Sequence, residues 1–121
     1  MSEWRELLRG QVVQVNLDPV VGSEIGKTRP AVVVQNDVGN RFSPTIIVVA
    51  ITRFSKAKSR FPFCVPIAPG EGGLTAASIA NTAQIRTVDR RRIADQLLGQ
   101  LPPEVMQQID AALVLSLGLP N

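Results

Sequence analysis

Apolar residues in this chain fall mostly into short β-branched runs separated by turn-forming clusters, so strands dominate the reading. From Gln11 to Leu17, Val12, Val13, Val15 and Leu17 alternate with polar residues, with one step out of phase, predicting a strand with a bulge or shifted register. Asp18 to Thr28 is rich in Gly, Pro, Ser and charge and reads as an exposed loop. Ala31 to Gln35 is a short strand after Pro30, and Asn36 to Pro44 is a second turn-rich connection. Thr45 to Ile51 is almost entirely β-branched, the mark of a strand buried on both faces. Thr52 to Pro62 carries Arg53, Lys56, Lys58 and Arg60 without an acid and reads as a flexible basic loop. Phe63 to Ile67 is a further strand, Pro69 to Gly73 a turn, and Ser78 to Val88 an irregular strand. Ile93 to Leu101 fits strand or helix equally by periodicity.

The C-terminal segment changes period. Pro102-Pro103-Glu104 suits a helix start, because proline there forfeits no hydrogen bond and an acid meets the positive end of the helix dipole. Val105, Ile109, Ala112 and Leu113 then share one face, and Gly118 or Pro120 ends the helix. Five or six short strands and one terminal helix predict a mainly β fold, a small barrel or half-barrel whose open side the helix covers.

At 121 residues the chain is expected to form one domain over residues 1–121, large enough to bury a core without disulfide or metal. Aromatic residues make up only 4%, so the core must be aliphatic and base-stacking platforms few. There is no histidine and a single cysteine, Cys64. Histidine acid–base pairs, His/Cys zinc sites and intramolecular disulfides are thereby excluded, and no cofactor or metal is expected. Cys64 lies in an apolar strand with no histidine to activate it, and reads as a buried thiol. Met1 to Leu8 carries charge rather than an apolar run, and no stretch reaches membrane-spanning length. A cytoplasmic protein with no membrane partner is the expectation. The formal charge of +3 permits a polyanionic partner without requiring one.

One segment concentrates candidate chemistry: Asp18-Pro19-Val20-Val21-Gly22-Ser23-Glu24-Ile25-Gly26-Lys27-Thr28-Arg29-Pro30. The position before proline holds Arg29 extended, so its side chain can project from a strand mouth. Taken with Arg9-Gly10-Gln11-Val12, Ala31-Val32-Val33-Val34-Gln35-Asn36-Asp37, Thr45 to Thr52, and Gln84-Ile85-Arg86-Thr87-Val88-Asp89 followed by Arg92-Ile93, the chain resembles the MazF/PemK toxin family. The likeness runs from about Arg9 to about Leu117, and its specificity lies in several separated motifs occurring in order.

The resemblance implies an SH3-like barrel with a C-terminal helix. It implies a homodimer that cuts single-stranded RNA at short preferred sequences and is neutralised by a MazE-like antitoxin whose acidic tail fills the RNA groove. It places the family's catalytic arginine and threonine on Arg29 and Thr52, an acidic loop position on Glu24, and an RNA-proximal polar position on Gln84. Many relatives carry an acid where Ala83 stands here, which bears on sequence preference more than on catalysis.

Chemistry without histidine is open to such an enzyme because RNA supplies its own nucleophile, the 2′-hydroxyl. A guanidinium binds two phosphate oxygens through parallel donors and suits Arg29 to the five-coordinate phosphate. Glu24 is the better base on chemical grounds, since arginine is always protonated, but the two proton carriers stay unassigned. Candidate RNA contacts are Gln84 and Arg86, the basic-loop residues Arg53, Lys56 and Lys58, and Ser78. Arg90-Arg91-Arg92 is either a solvated turn or a phosphate contact, and Phe54 and Phe61 either stack on bases or anchor the loop. Two rival readings remain: a CcdB-like toxin that binds gyrase, and an RNA-binding barrel without catalysis.

Overall fold

The computed structural model describes residues 5–120; residues 1–4 of the charged N-terminal stretch lie outside it. Six strands form one sheet: β1 (Gln11–Asn16), β2 (Thr28–Val33), β3 (Thr45–Arg53), β4 (Cys64–Ile67), β5 (Ser78–Asp89) and β6 (Ile93–Gln100). Their order across the sheet is β4-β5-β3-β2-β1-β6, with every neighbouring pair antiparallel. The ambiguous segment before the helix is therefore strand, paired to β1 through Val13↔Leu97 and Val15↔Ile93. Its register slips where Val12 and Val13 break alternation.

β3 occupies the middle of the sheet, and its unbroken apolar run splits between two cores. Val49 and Ile51 face one with Val12, Val32, Val65, Leu101 and the helix α2 (Pro103–Leu117). Ile46, Val48 and Ala50 face the other with Val13, Val15, Leu17, Ala31, Val33 and Val88. Helix α2 buries Val105, Ile109 and Ala112, spaced to share one face, and stops at Gly118, whose φ of 67° suits glycine. It covers the side of the sheet predicted to be open.

The sheet ends meet through backbone. A turn at Glu71–Gly73 packs on β6 so closely that a Cβ on Gly73 would lie 1.9 Å from the Leu98 carbonyl oxygen. A Cβ on Gly99 would lie 2.6 Å from the Gly72 carbonyl carbon. Only glycine fits on both sides of this seam.

Two boundaries differ from the sequence reading. β2 begins at Thr28 rather than Ala31, because Asn16↔Thr28 and Gln14↔Pro30 pairing with β1 draws Arg29 and Pro30 into the strand. The connection read as turns from Asn36 to Pro44 contains a short helix, α1 (Asp37–Phe42). Asn36 caps it, its side chain accepting from the Gly39 N–H at 2.8 Å. Arg90 closes the other end, donating to the carbonyls of Asn40 and Ser43.

Candidate active site

Pairing between β2 and β3 stops at Ala31↔Ala50. The next residue of β2 is Pro30, which has no N–H to give. Continuing the register by two residues sets Arg29 across from Thr52, beyond the last pair, while Thr52 stays tied to Ile79 of β5. The sheet thus opens between its two central strands at this mouth.

The opening is a pocket of about 450 Å³ lined by Glu24, Ile25, Gly26, Arg29, Thr52, Arg53 and Lys58. A second hollow of about 290 Å³ shares Arg29, Thr52 and Arg53 and adds Pro30, Thr75 and Ser78. Residues from three connections and three strands therefore converge at one place. Arg29 is half-buried, and its Nε donates to the Gly26 carbonyl at 2.8 Å, which fixes the side chain against the loop. Glu24 is exposed and accepts the Val21 N–H at 2.9 Å, folding back on its own turn. Among the described residues the ion pairs join Arg9 to Asp110 and Arg91 to Asp89, so the pocket's cations are not neutralised by its one acid. Thr52 Oγ1 is buried without a hydrogen-bond partner. Such a group costs about 1–3 kcal/mol unless something satisfies it.

The remaining candidates are distributed unevenly. Ser78 lines the hollow beside the arginines, with its hydroxyl donating to the Ala76 carbonyl at 2.8 Å. Lys58 reaches the pocket, whereas Lys56 is exposed and outside both hollows. The stretch read as a flexible basic loop contains a 3-10 turn at Lys58–Arg60, started by the Ser55 hydroxyl accepting the Lys58 N–H. Gln84 and Arg86 lie on one face of β5 beneath the Asp18 to Thr28 loop rather than in the pocket. Gln84 accepts the Ile25 N–H at 3.1 Å, and Arg86 donates to the Leu17 carbonyl at 3.2 Å. Of the aromatic pair, Phe61 stacks on Phe63 with ring centroids 5.1 Å apart, and both Phe61 and Phe54 are exposed. Cys64 is buried, and desolvation pushes its thiol above the ordinary range.

The arginine run makes three different sets of contacts. Arg90 turns inward onto α1, and Arg91 pairs with Asp89 at 2.9 Å, holding that carboxyl below its usual range. Arg92 donates to the carbonyls of Asn16 and Asp18. These contacts hold structure together, and the run lines neither hollow at the β2–β3 mouth.

Residues 8–117 match the sequence model of the PemK-like, MazF-like toxins of type II toxin–antitoxin systems. The chain belongs to this family. A relative in Bacillus subtilis, the endoribonuclease EndoA, is 46% identical over 111 residues, spanning 92% of this chain and 94% of its own length. A mycobacterial endoribonuclease solved in complex with its cognate antitoxin superposes with a TM-score of 0.76 at 29% identity, covering 95% of this chain and 98% of that one. MazF from Deinococcus radiodurans gives a TM-score of 0.80 at 23% identity, over 95% of this chain and 99% of its own. The MazF fold is therefore the fold of this chain.

Proposed function

We propose that this MazF-like toxin is an endoribonuclease that cleaves single-stranded RNA at short preferred sequences, with Arg29 and Thr52 as its catalytic pair. The observation that carries the reading is their convergence at the mouth where β2–β3 pairing ends, beside Arg53, Lys58 and Glu24. The endoribonuclease names of relatives at 46% and 29% identity support the activity.

The pocket's donors suit a phosphodiester. Arg29 offers a planar fork of N–H groups to the two non-bridging oxygens, which gain charge as the 2′-oxygen attacks phosphorus. A preorganised donor of that kind contributes about 3–4 kcal/mol to the transition state. Thr52, with an unsatisfied hydroxyl on a rigid central strand, supplies a second donor to the same phosphate. As the new P–O bond forms, the 2′-hydroxyl proton leaves to a base, for which Glu24 is the carboxylate at the pocket edge. The P–O5′ bond breaks and O5′ takes up a proton, leaving a 2′,3′-cyclic phosphate and a 5′-hydroxyl. Arg53, Lys58 and Ser78 hold the adjoining backbone, and Lys56 adds long-range attraction from outside the pocket.

The working unit is a homodimer neutralised by a MazE-like antitoxin. Leu115 and Leu117 of α2 are more than half exposed, which favours a covering partner subunit, and the mycobacterial relative's complex with its own antitoxin supports the second partner.

Incubating the purified protein with a long RNA in excess EDTA tests the chemistry. Discrete cuts bearing cyclic-phosphate and 5′-hydroxyl ends are expected. Cleavage that stops on chelation and returns with magnesium or manganese would overturn the mechanism, and binding without cleavage would leave only an RNA-binding barrel.

A further inference from the structure

The connection between β1 and β2 is closed at its base by Leu17 and Lys27. The Leu17 N–H donates to the Lys27 carbonyl at 2.9 Å, and the Lys27 N–H donates to Asp18 at 2.8 Å. Above that base the loop carries Glu24 and Gly26, both at the pocket. Ile25 packs partly on the core that holds Leu17, Ala50 and Val88. Three side chains from elsewhere in the sequence grip this loop by its backbone. Arg86 takes the Leu17 carbonyl, Gln84 takes the Ile25 N–H, and Arg92 takes the Asn16 and Asp18 carbonyls. The loop in turn holds Arg29 through the Gly26 carbonyl.

We infer that Arg86, with Gln84 and Arg92 beside it, is a positioning residue that fixes the β1–β2 loop so that the Gly26 carbonyl aims the Arg29 guanidinium at the scissile phosphate. This rests on the endoribonuclease reading of the pocket. A surface or core filler would not explain Arg86. Its Nη1 is buried with no partner while Nη2 reaches one carbonyl, a poor bargain for packing alone, where a leucine or methionine would fill the same space. The bond is made to the loop and not to the strands on either side, so its effect is on where the loop sits. Position matters here because displacing a catalytic group by about 1 Å costs on the order of 100-fold in rate.

The test compares Arg86→Met and Arg86→Lys with the unaltered protein. Arg86→Met should slow single-turnover cleavage at least tenfold while binding of RNA with a 2′-deoxy nucleotide at the cut site changes less than twofold. Arg86→Lys keeps a donor for Leu17 and should recover most of the rate. By NMR, hydrogen exchange of the Ile25 amide and the Arg29 Nε–H should quicken in Arg86→Met and slow again in Arg86→Lys. If Arg86→Met does not fold, Gln84→Leu, which removes only the acceptor of the Ile25 N–H, carries the same expectations. Unchanged exchange at Ile25 and Arg29 in a folded variant would overturn the inference, as would lost affinity at an unchanged rate, which would make Arg86 an RNA contact. Should the unaltered protein not cut RNA, the endoribonuclease reading falls while the exchange measurements still decide whether the clamp exists.

Discussion

Thr52 and Arg29 sit across the same opening, but the protein treats them differently. Arg29 is held by a carbonyl of its own loop, whereas the Thr52 hydroxyl is buried and unmet. Removing an unsatisfied buried hydroxyl without changing shape should not weaken the fold and can strengthen it. Thr52→Val is therefore expected to keep or raise the melting temperature while lowering cleavage on the order of tenfold to a hundredfold, measured with one labelled RNA. Arg29→Lys keeps the charge but loses the two-pronged geometry, and should rescue little of the activity that Arg29→Ala abolishes. An Arg29→Ala protein of full activity would require a different catalytic pair. The sequence made Arg29 conspicuous through Pro30, but nothing local told Thr52 from any other strand-end threonine. The loop contacts of Gln84 and Arg86 were illegible for another reason: each spans more than fifty residues, and only the folded sheet brings the partners together.

At the scale of elements, most strands were visible because each buries at least one face. Periodicity could not place the β2 boundary, since β1 pairing and not hydrophobicity extends that strand to Thr28. α1 was missed because six residues with a glycine among them carry no period, although Asn36 as a capping residue was a signal. The basic connection after β3 is where element geometry has a measurable consequence. Lys58 lies in the pocket and Lys56 outside it, though both stand in one charged stretch. Neutralising Lys58 should lower the slope of log affinity against log salt by about one unit, and neutralising Lys56 by clearly less. Equal effects would mean that RNA follows the whole connection rather than the pocket edge.

For the whole molecule, charge and apolar surface divide the labour. The pocket gathers Arg29, Arg53 and Lys58 around one acid, while α2 presents Leu115 and Leu117. Sedimentation at micromolar concentration should therefore give a dimer, and a non-cleavable RNA analogue should displace an acidic antitoxin peptide. A monomer cutting at full rate would refute the homodimer as the working unit, and simultaneous binding of RNA and peptide would refute antitoxin occupation of the RNA groove. The glycine seam bears on how such a toxin reveals itself genetically. Cells that survive its expression carry whatever changes disarm it, and a single methyl at Gly73 or Gly99 meets backbone on the opposite side of the barrel closure. Survivors should therefore cluster at these glycines as well as at Arg29. A map of escape mutations drawn without soluble yields would show two hot regions, one a site of chemistry and the other merely the place where the barrel is sewn shut.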